Sequence, residues 1–326
     1  MRAIRLHAFG PPEQLRLEEV EDPGPGPGQA RIRVGAAGVH FVDTTIRAGA
    51  KGWFPLPELP MTPGREVAGV VDRLGEGVGG GWLGRRVVAH LGTASGGYAE
   101  LAVRDAGALH ETPEGLSDEA AVAMIGTGRT ALAILEEARL TAGDVVVVTA
   151  AAGGLGALLV QAGTAAGALV VGLAGGAGKV ERVRRLGAGV AVDYTAPGWG
   201  EAVRDALGGR APTVVLDGVG GASGRAAMEL LGPGGRLIIY GLSSGEPTRL
   251  SAGDLFERGL TASAAIGPRL LQRPGGMRGL EEQALAAAAS GRLAPVVGRR
   301  VPLAQAAAAH AAIEARETVG KVVLVP

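Results

Sequence analysis

The sequence predicts an α/β protein, a doubly wound parallel sheet combined with a β-rich second domain. Three observations predict it. From Asp144 onward, short apolar strands alternate with helical segments, the pattern of a Rossmann-type sheet. Between the first of those strands and its helix lies a run of small residues, Thr149 to Gly156. The first third reads instead as strands separated by turn residues, and one apolar strand closes the chain.

With 326 residues, 47% of them hydrophobic, the chain can fill two cores. Basic and acidic residues balance at 32 each, so no electrostatic surface for nucleic acid or an anionic membrane is expected. The absence of cysteine excludes disulfides and thiolate zinc sites. No stretch approaches the ~20 apolar residues of a membrane span. Met1 to His7 reads as a strand, not a signal peptide. A soluble, cytoplasmic protein is expected.

Taken in order, strands are expected at 2–7, 15–19, 30–38, 67–74, 86–89 and 98–103. Pro and Gly alternate from Pro23 to Gly28, which suits a surface connection and no regular element. Helical texture follows over 117–137, with Ser117 as N-cap and a second helix from Thr130 to Glu137. Beyond it, strands at 144–149, 168–173, 190–193, 213–217, 236–240 and 260–266 alternate with helices at 155–166, 179–186, 199–207 and 222–231. The alternation ends in a Pro/Gly-rich loop, Gly267 to Gly276, followed by helical segments 278–290 and 304–315 and a strand at 319–325. A closing strand this apolar needs a partner sheet, which the first third can supply. The chain is therefore expected to return to its first domain, with segments 1–120, 121–266 and 267–326.

The stretch from Asp144 to Gly156 organises the rest. Val145 to Val148 is a buried parallel strand, and an apolar helix begins at Leu158. Gly153 and Gly156 stand at the second and third glycine positions of a dinucleotide fingerprint, with Ala151 replacing the first. Small residues are needed there because the backbone approaches a pyrophosphate and the helix N-terminus points at it. Ala152, Gly153, Gly154, Leu155 and Gly156 form the candidate cradle. In a glycine-rich chain such spacings also arise by chance, so the flanking strand and helix carry the weight.

The next strand end discriminates between cofactors. An NAD site usually has an acid there to bind the ribose hydroxyls. Here Leu173 to Lys179 contains none, and Lys179 and Arg182 offer positive charge to a 2′-phosphate, which favours NADPH. An ordinary solvated helix start would look similar, so the missing acid weighs more than the lysine. Two later strands also end in glycine, at Asp217-Gly218 and Tyr240-Gly241, and in a parallel sheet these ends face one crevice.

Several stretches, in order along the chain, then carry a family resemblance. They are Gly38 to Gly49, Leu59 to Val71, Gly96 to Glu100, Ala150 to Gly156, Asp217 to Gly221 and Gly320 to Leu324. The sequence resembles the zinc-independent quinone oxidoreductases of the medium-chain dehydrogenase/reductase superfamily, the zeta-crystallin-like group. That resemblance implies a discontinuous GroES-like substrate domain around a Rossmann domain, NADPH as hydride donor, and a homodimer or homotetramer. It places Lys179, Tyr194 and Arg316 around the 2′-phosphoadenosine, Gly153, Gly154 and Gly156 under the pyrophosphate, and Thr127 near the nicotinamide. Tyr194 could instead cap a strand, and Arg316 could belong to a solvated helix end.

The substrate side departs from the family, which usually has Asn at the position of His40 and often Tyr at that of Thr45. His40 could donate a proton or hydrogen-bond a carbonyl, or be a packed histidine; both readings stay open. Asp43 keeps its family position, or merely orders a Thr44–Thr45 turn. The five histidines show no ligand spacing, so no metal is expected. A metal-free site would position the nicotinamide against an already activated acceptor, a quinone or an enone, in a small apolar cleft. Phe41, Trp53, Phe54 and Met61, in a loop over 40–61, are candidates for its lining. Two other classes compete: a non-catalytic NADPH-binding protein, and a methyltransferase, which suits the β-rich first third poorly.

Overall fold

The computed structural model describes residues 1–50, 55–93, 95–267, 270, 272–273 and 275–326. In chain order, β1 (Arg2–Leu6), β2 (Leu15–Glu19) and β3 (Gln29–Val39) lead into α1 (Phe41–Arg47). Next come β4 (Glu66–Leu74), β5 (Arg86–His90), β6 (Leu101–Asp105) and β7 (His110–Glu111). Helix α2 (Asp118–Val122) passes through a π-helical turn, Ala123–Gly128, into α3 (Arg129–Ala138). Strands and helices then alternate: β8 (Val145–Val148), α4 (Gly154–Ala165), β9 (Leu169–Ala174), α5 (Ala177–Arg185), β10 (Val190–Asp193), α6 (Trp199–Leu207), β11 (Val214–Asp217) and α7 (Gly221–Glu229). After β12 (Arg236–Ile239), α8 (Ala252–Arg258) and β13 (Thr261–Ala264), the chain ends with α9 (Arg278–Ala289), β14 (Val297–Pro302), α10 (Ala306–Glu314) and β15 (Lys321–Val325).

These elements form two compact units, Met1–Gly126 with Glu281–Pro326, and Thr127–Leu280. The crossings lie beyond the 120 and 266 expected from sequence. Helix α2 packs on β3, β4 and β5, which keeps it with the first unit. Leu270 and Leu280 pack with Ala133 of α3, which keeps the segment after β13 with the second.

In the second unit the strand order is β10-β9-β8-β11-β12-β13, every neighbouring pair parallel. This is the doubly wound order with its switch point between β8 and β11, and their carboxyl ends define the ligand crevice. All four valines of β8 are buried, as a strand covered on both faces requires. Val147, Leu173, Val215 and Leu237 join Val203 of α6 and Met228 of α7 in one core cluster.

In the first unit a mixed sheet runs β14-β15-β3-β4-β5-β7, with β6 also on β3. The final strand pairs antiparallel with β3, Val322 opposite Val39 and Leu324 opposite Ala37, so the chain does return to its first sheet. Ile4, Leu6, Ile32, Val67, Leu91 and Tyr98 are among the side chains that fill the core. Among the described residues no helix is long and apolar enough to cross a membrane.

Several local expectations need correction. The stretch from 40 is not all loop: Phe41–Arg47 is α1, despite β-branched Val42, Thr44, Thr45 and Ile46. Capping and tertiary anchoring override that propensity. Asp43 at N3 accepts a hydrogen bond from the His40 backbone N–H at 2.9 Å. At the other end the buried Arg47 donates to the Gly10 carbonyl at 2.6 Å and pairs with Glu314 of α10. Helix α8 was not expected either, although Ser251 and Asp254 form a reciprocal capping box. Strand β14 carries no apolar alternation to mark it, since Gly298, Arg299 and Arg300 are exposed in succession. The strand expected at 98–103 begins only at Leu101, because the Tyr98 N–H is spent on the Pro63 carbonyl.

A polar knot closes the amino end of the parallel sheet. The buried Asp144 carboxylate accepts from the Thr141 N–H and hydroxyl, the Thr213 hydroxyl and Arg236 Nη2, at 2.7–3.0 Å. Burial alone would raise this carboxyl, but the Thr213 and Thr141 hydrogen bonds and the Arg236 charge outweigh it and hold it low. Replacing Asp144 with Ala strands these donors and is expected to cost about 2–4 kcal/mol. Hydrogen exchange should show it as faster exchange of β8 and β12 amides; unchanged protection there would contradict the assignment.

Candidate functional site

The cofactor side is built from three turns at the carboxyl ends of β8, β11 and β12. After β8, Ala150 adopts the left-handed conformation at φ 48°, a strained state for alanine. The Ala151 N–H donates to the Leu173 carbonyl at 2.8 Å, pinning the turn to β9. Gly153 caps α4 without any side-chain partner, so the first N–H groups of the helix are left for a ligand. A Cβ on Gly156 would lie 2.7 Å from the Ala151 Cα and overlap the Ala150 carbonyl. Only glycine lets helix and turn approach this closely.

Asp217 ties the crest together. Fully buried, its carboxylate accepts from the Thr149 hydroxyl at 3.0 Å, the Val219 N–H at 2.9 Å, the Gly220 N–H and the Thr248 hydroxyl. The Thr149 oxygen in turn accepts from the Gly218 N–H at 2.9 Å. From β12, the Tyr240 hydroxyl donates to the Thr149 carbonyl at 3.3 Å. Burial, then the nearby Asp217 charge, pushes this phenol up, so it stays a neutral donor. A Cβ on Gly218 would overlap the Tyr240 ring, and one on Gly241 would lie 2.7 Å from the Gly218 carbonyl oxygen. The three turns are thus stitched edge to edge, with glycine where they approach most closely.

The β9 end carries no acid. Ala174, Gly175 and Gly176 lead directly into α5, with Lys179 at its third residue and half-buried. The nearest carboxylate, Asp193 at the end of β10, is held low by the Thr195 hydroxyl first, then by the Gly176 and Thr195 N–H groups. Its Oδ1 accepts from the Thr195 hydroxyl at 2.6 Å and the Thr195 N–H at 2.9 Å. Tyr194 is half-buried, packs on the core, and donates its N–H to the Ala174 carbonyl. Arg316 belongs to the first unit, exposed in a left-handed turn after α10. Thr127 is buried on the π-helical turn, and Ala152 is buried beside Gly153.

In the first unit, His40 ends β3 and faces two groups that the sequence did not single out. Its Nε2 lies 2.9 Å from Glu66 Oε2 and 3.1 Å from Lys321 Nζ. Lys321 also pairs directly with Glu66 Oε1. Glu66 is completely buried and Lys321 nearly so. Burial would push the Glu66 carboxyl up; the charges and hydrogen bonds of His40 and Lys321 overcome it and hold it well below the carboxylate range. One signal was legible: each is a charge directly before an apolar run, Val67 to Val71 and Val322 to Val325.

Asp43 sits at the centre of a second buried network. Besides the His40 N–H it accepts from the Tyr98 hydroxyl at 3.1 Å, with Arg65 Nε 3.8 Å away. Since Tyr98 gives its only proton to Asp43, it must accept from His310 Nε2, 3.1 Å away. His310 is therefore the Nε2–H tautomer, with a bare, buried Nδ1. Asp43 thus holds the His40 turn in place. Beside α1 lies a cavity of about 140 Å³ walled by Leu6, Ile46, Leu56, Met61, Asp43 and Arg65; His40 is not in its wall. Phe41 is exposed, and Trp53 and Phe54 lie outside the described residues. Among the described residues no group of three or more His, Asp or Glu side chains could hold a metal ion.

Two known families match parts of the chain. Residues 26–114 match the alcohol dehydrogenase GroES-like domain, and residues 186–324 match a family described as zinc-binding dehydrogenase. A quinone oxidoreductase from Sus scrofa is 34% identical, covering 99% of this chain and 97% of its own. A 2-haloacrylate reductase from a Burkholderia species is 33% identical over 99% and 97%. The structure of the Escherichia coli quinone oxidoreductase in complex with NADPH superposes with a TM-score of 0.89 at 28% identity, covering both chains fully.

The buried imidazole gives a pH prediction. Burial, ahead of any charge, lowers His310 from 6.5 to about 4. The unfolded chain then binds a proton below pH 6.5 that the folded protein refuses, so stability is lost as pH falls from 6.5 toward 4. The expected loss from this group is about 3 kcal/mol. Denaturation of wild type and His310→Gln across that range should show a steeper acid decline in wild type. Parallel curves would contradict it.

Proposed function

The chain belongs to the quinone oxidoreductase family of the medium-chain dehydrogenase/reductase superfamily and is an oxidoreductase. From that premise we propose that it transfers hydride from NADPH to a quinone-type acceptor without a metal ion. The observation that carries the cofactor assignment is the end of β9, which has no acid of its own and has Lys179 just beyond it, while the neighbouring Asp193 is occupied by the Thr195 hydroxyl and by the Gly176 and Thr195 N–H groups. The complex of the Escherichia coli relative with NADPH supports the same choice. When bound, NADPH supplies the hydride.

The protein's residues do the rest. Gly154, Leu155 and Gly156 would present backbone N–H groups to the pyrophosphate, with Ala152 and with Gly153, whose own N–H donates to the Ala150 carbonyl, leaving room beside them. Gly218 and Gly241 let the turns beside the nucleotide close on one another, and Lys179, Tyr194 and Arg316 are assigned to the 2′-phosphoadenosine end. Thr127 is assigned to the nicotinamide end. His40 holds the proton that completes reduction, and Asp43 fixes the turn that presents it. A quinone or enone is electron-poor before binding, so positioning is the main requirement. The sequence contains no cysteine to supply a thiolate ligand, in keeping with a metal-free reaction. Assembly as a homodimer or homotetramer and a cytoplasmic location belong to the same reading.

A second acceptor class, the α,β-unsaturated carbonyl, is favoured by the 2-haloacrylate reductase relative. Parallel initial-rate assays with one quinone and one enone, each with NADPH, separate the two. NADPH oxidation with neither would end both readings. For the cofactor, Lys179→Ala should raise the KM for NADPH by about tenfold or more while leaving that for NADH nearly unchanged. An equal rise for both would remove Lys179 from the 2′-phosphate.

A further inference from the structure

The ion cluster around His40 is a constructed feature. Glu66 is a buried carboxylate whose two oxygens each meet a different cationic group, Lys321 on Oε1 and His40 on Oε2. Two glycines make the slot that holds it. A Cβ on Gly38 or on Gly126 would overlap the carboxylate, and one on Gly126 would also lie 3.2 Å from His40 Cε1. Gly126 sits in the π-helical turn, a local irregularity frequent at functional sites. Meanwhile His40 itself is 21% exposed on its side chain, in contrast to the fully enclosed Glu66. The arrangement is a dry pair of opposite charges with one titratable ring at its wet edge.

We propose that Glu66 and Lys321 are positioning residues that make His40 the proton donor to the oxygen of a carbonyl-conjugated acceptor. This rests on the reading above that the chain reduces such an acceptor. With Nε2 turned inward between Glu66 Oε2 and Lys321 Nζ, the other ring nitrogen, Nδ1, is the one that gives up its proton. The acceptor gains a hydride on one atom and this proton on its oxygen, leaving an enol or a phenol. The ring is then recharged from water at its exposed edge. Lys321 keeps Glu66 anionic, and the two charges act on the imidazolium in opposite senses.

Among the described residues, several charged and titratable groups face His40 or its helix cap. Besides Glu66 on β4 and Lys321 on β15, they are Asp43 on α1, Arg65 beside Asp43, and the phenol of Tyr98, which donates to Asp43. His310, behind Tyr98, is neutral at working pH.

The test is the pH dependence of kcat with a quinone or enone, paired with an NMR titration of the His40 ring in the cofactor-free protein. Activity should fall on an alkaline limb as the imidazolium loses its proton. Glu66→Gln should move that limb, and the ring titration, to lower pH by about one unit or more. Lys321→Met should move both to higher pH, and the double variant, which strands neither charge, should fall between the single variants. His40→Asn should abolish the limb. Same-direction shifts, no shifts, or a limb that survives His40→Asn would overturn the proposal. A wild-type protein that oxidises NADPH with no acceptor would overturn the reading beneath it, while the ring titration would still report whether the charges act on His40.

Discussion

Glu66 is a buried negative charge, and the first unit is arranged to neutralise it. The positive partner comes from β15, the last strand, and the titratable one from the end of β3, 281 residues apart in sequence from that strand's Lys321. They meet because β15 pairs with β3 and β3 pairs with β4, in a register that brings one end of all three strands together. A slip of one residue in either pairing would send the side chains to the opposite face and leave a charge alone in the core. Breaking a buried pair of this kind costs about 3–5 kcal/mol, so the interaction that specifies the register also penalises its loss. Chain return, sheet register and the buried ion cluster are one constraint seen at three scales.

The second unit meets a different constraint, closeness of backbone. At its crest the turns after β8, β11 and β12 are joined by Asp217, Thr149 and Tyr240, all through hydrogen bonds that run below the surface. Gly156, Gly218 and Gly241 are required because each would otherwise push a carbon into a neighbouring turn. The result is a set of closely packed backbone turns at the carboxyl ends of these strands. Ala150 shows the same demand met at a cost, since an alanine is held where glycine would be unstrained.

Much of this was legible in the sequence because its causes are local. Four consecutive valines, a run of small residues and alternating strands and helices identify the parallel sheet, and the missing acid after β9 identifies the cofactor preference. What was not legible has non-local causes. Helix α1 forms from β-branched residues because Asp43 caps it and Arg47 is anchored to Gly10 and Glu314, contacts that a local pattern cannot express. His40 stood out only as a departure from its relatives. Its partners Glu66 and Lys321 lay inside matching motifs without revealing that they meet, because that meeting depends on strand order. Thr127, Tyr194 and Arg316 were singled out by resemblance, not by any chemistry that their spacing displays, whereas Lys179 stood out by its charge after an acid-free strand end.

The central claim is that this chain moves a hydride from NADPH to a conjugated acceptor. Its most direct test is a single turnover with NADPH deuterated at the transferable position, an enone as acceptor, and mass spectrometry of the product. The account predicts that the reduced enone carries one deuterium on carbon and that the hydrogen added beside the carbonyl comes from solvent. A product without deuterium, or no product at all from either an enone or a quinone, would contradict it.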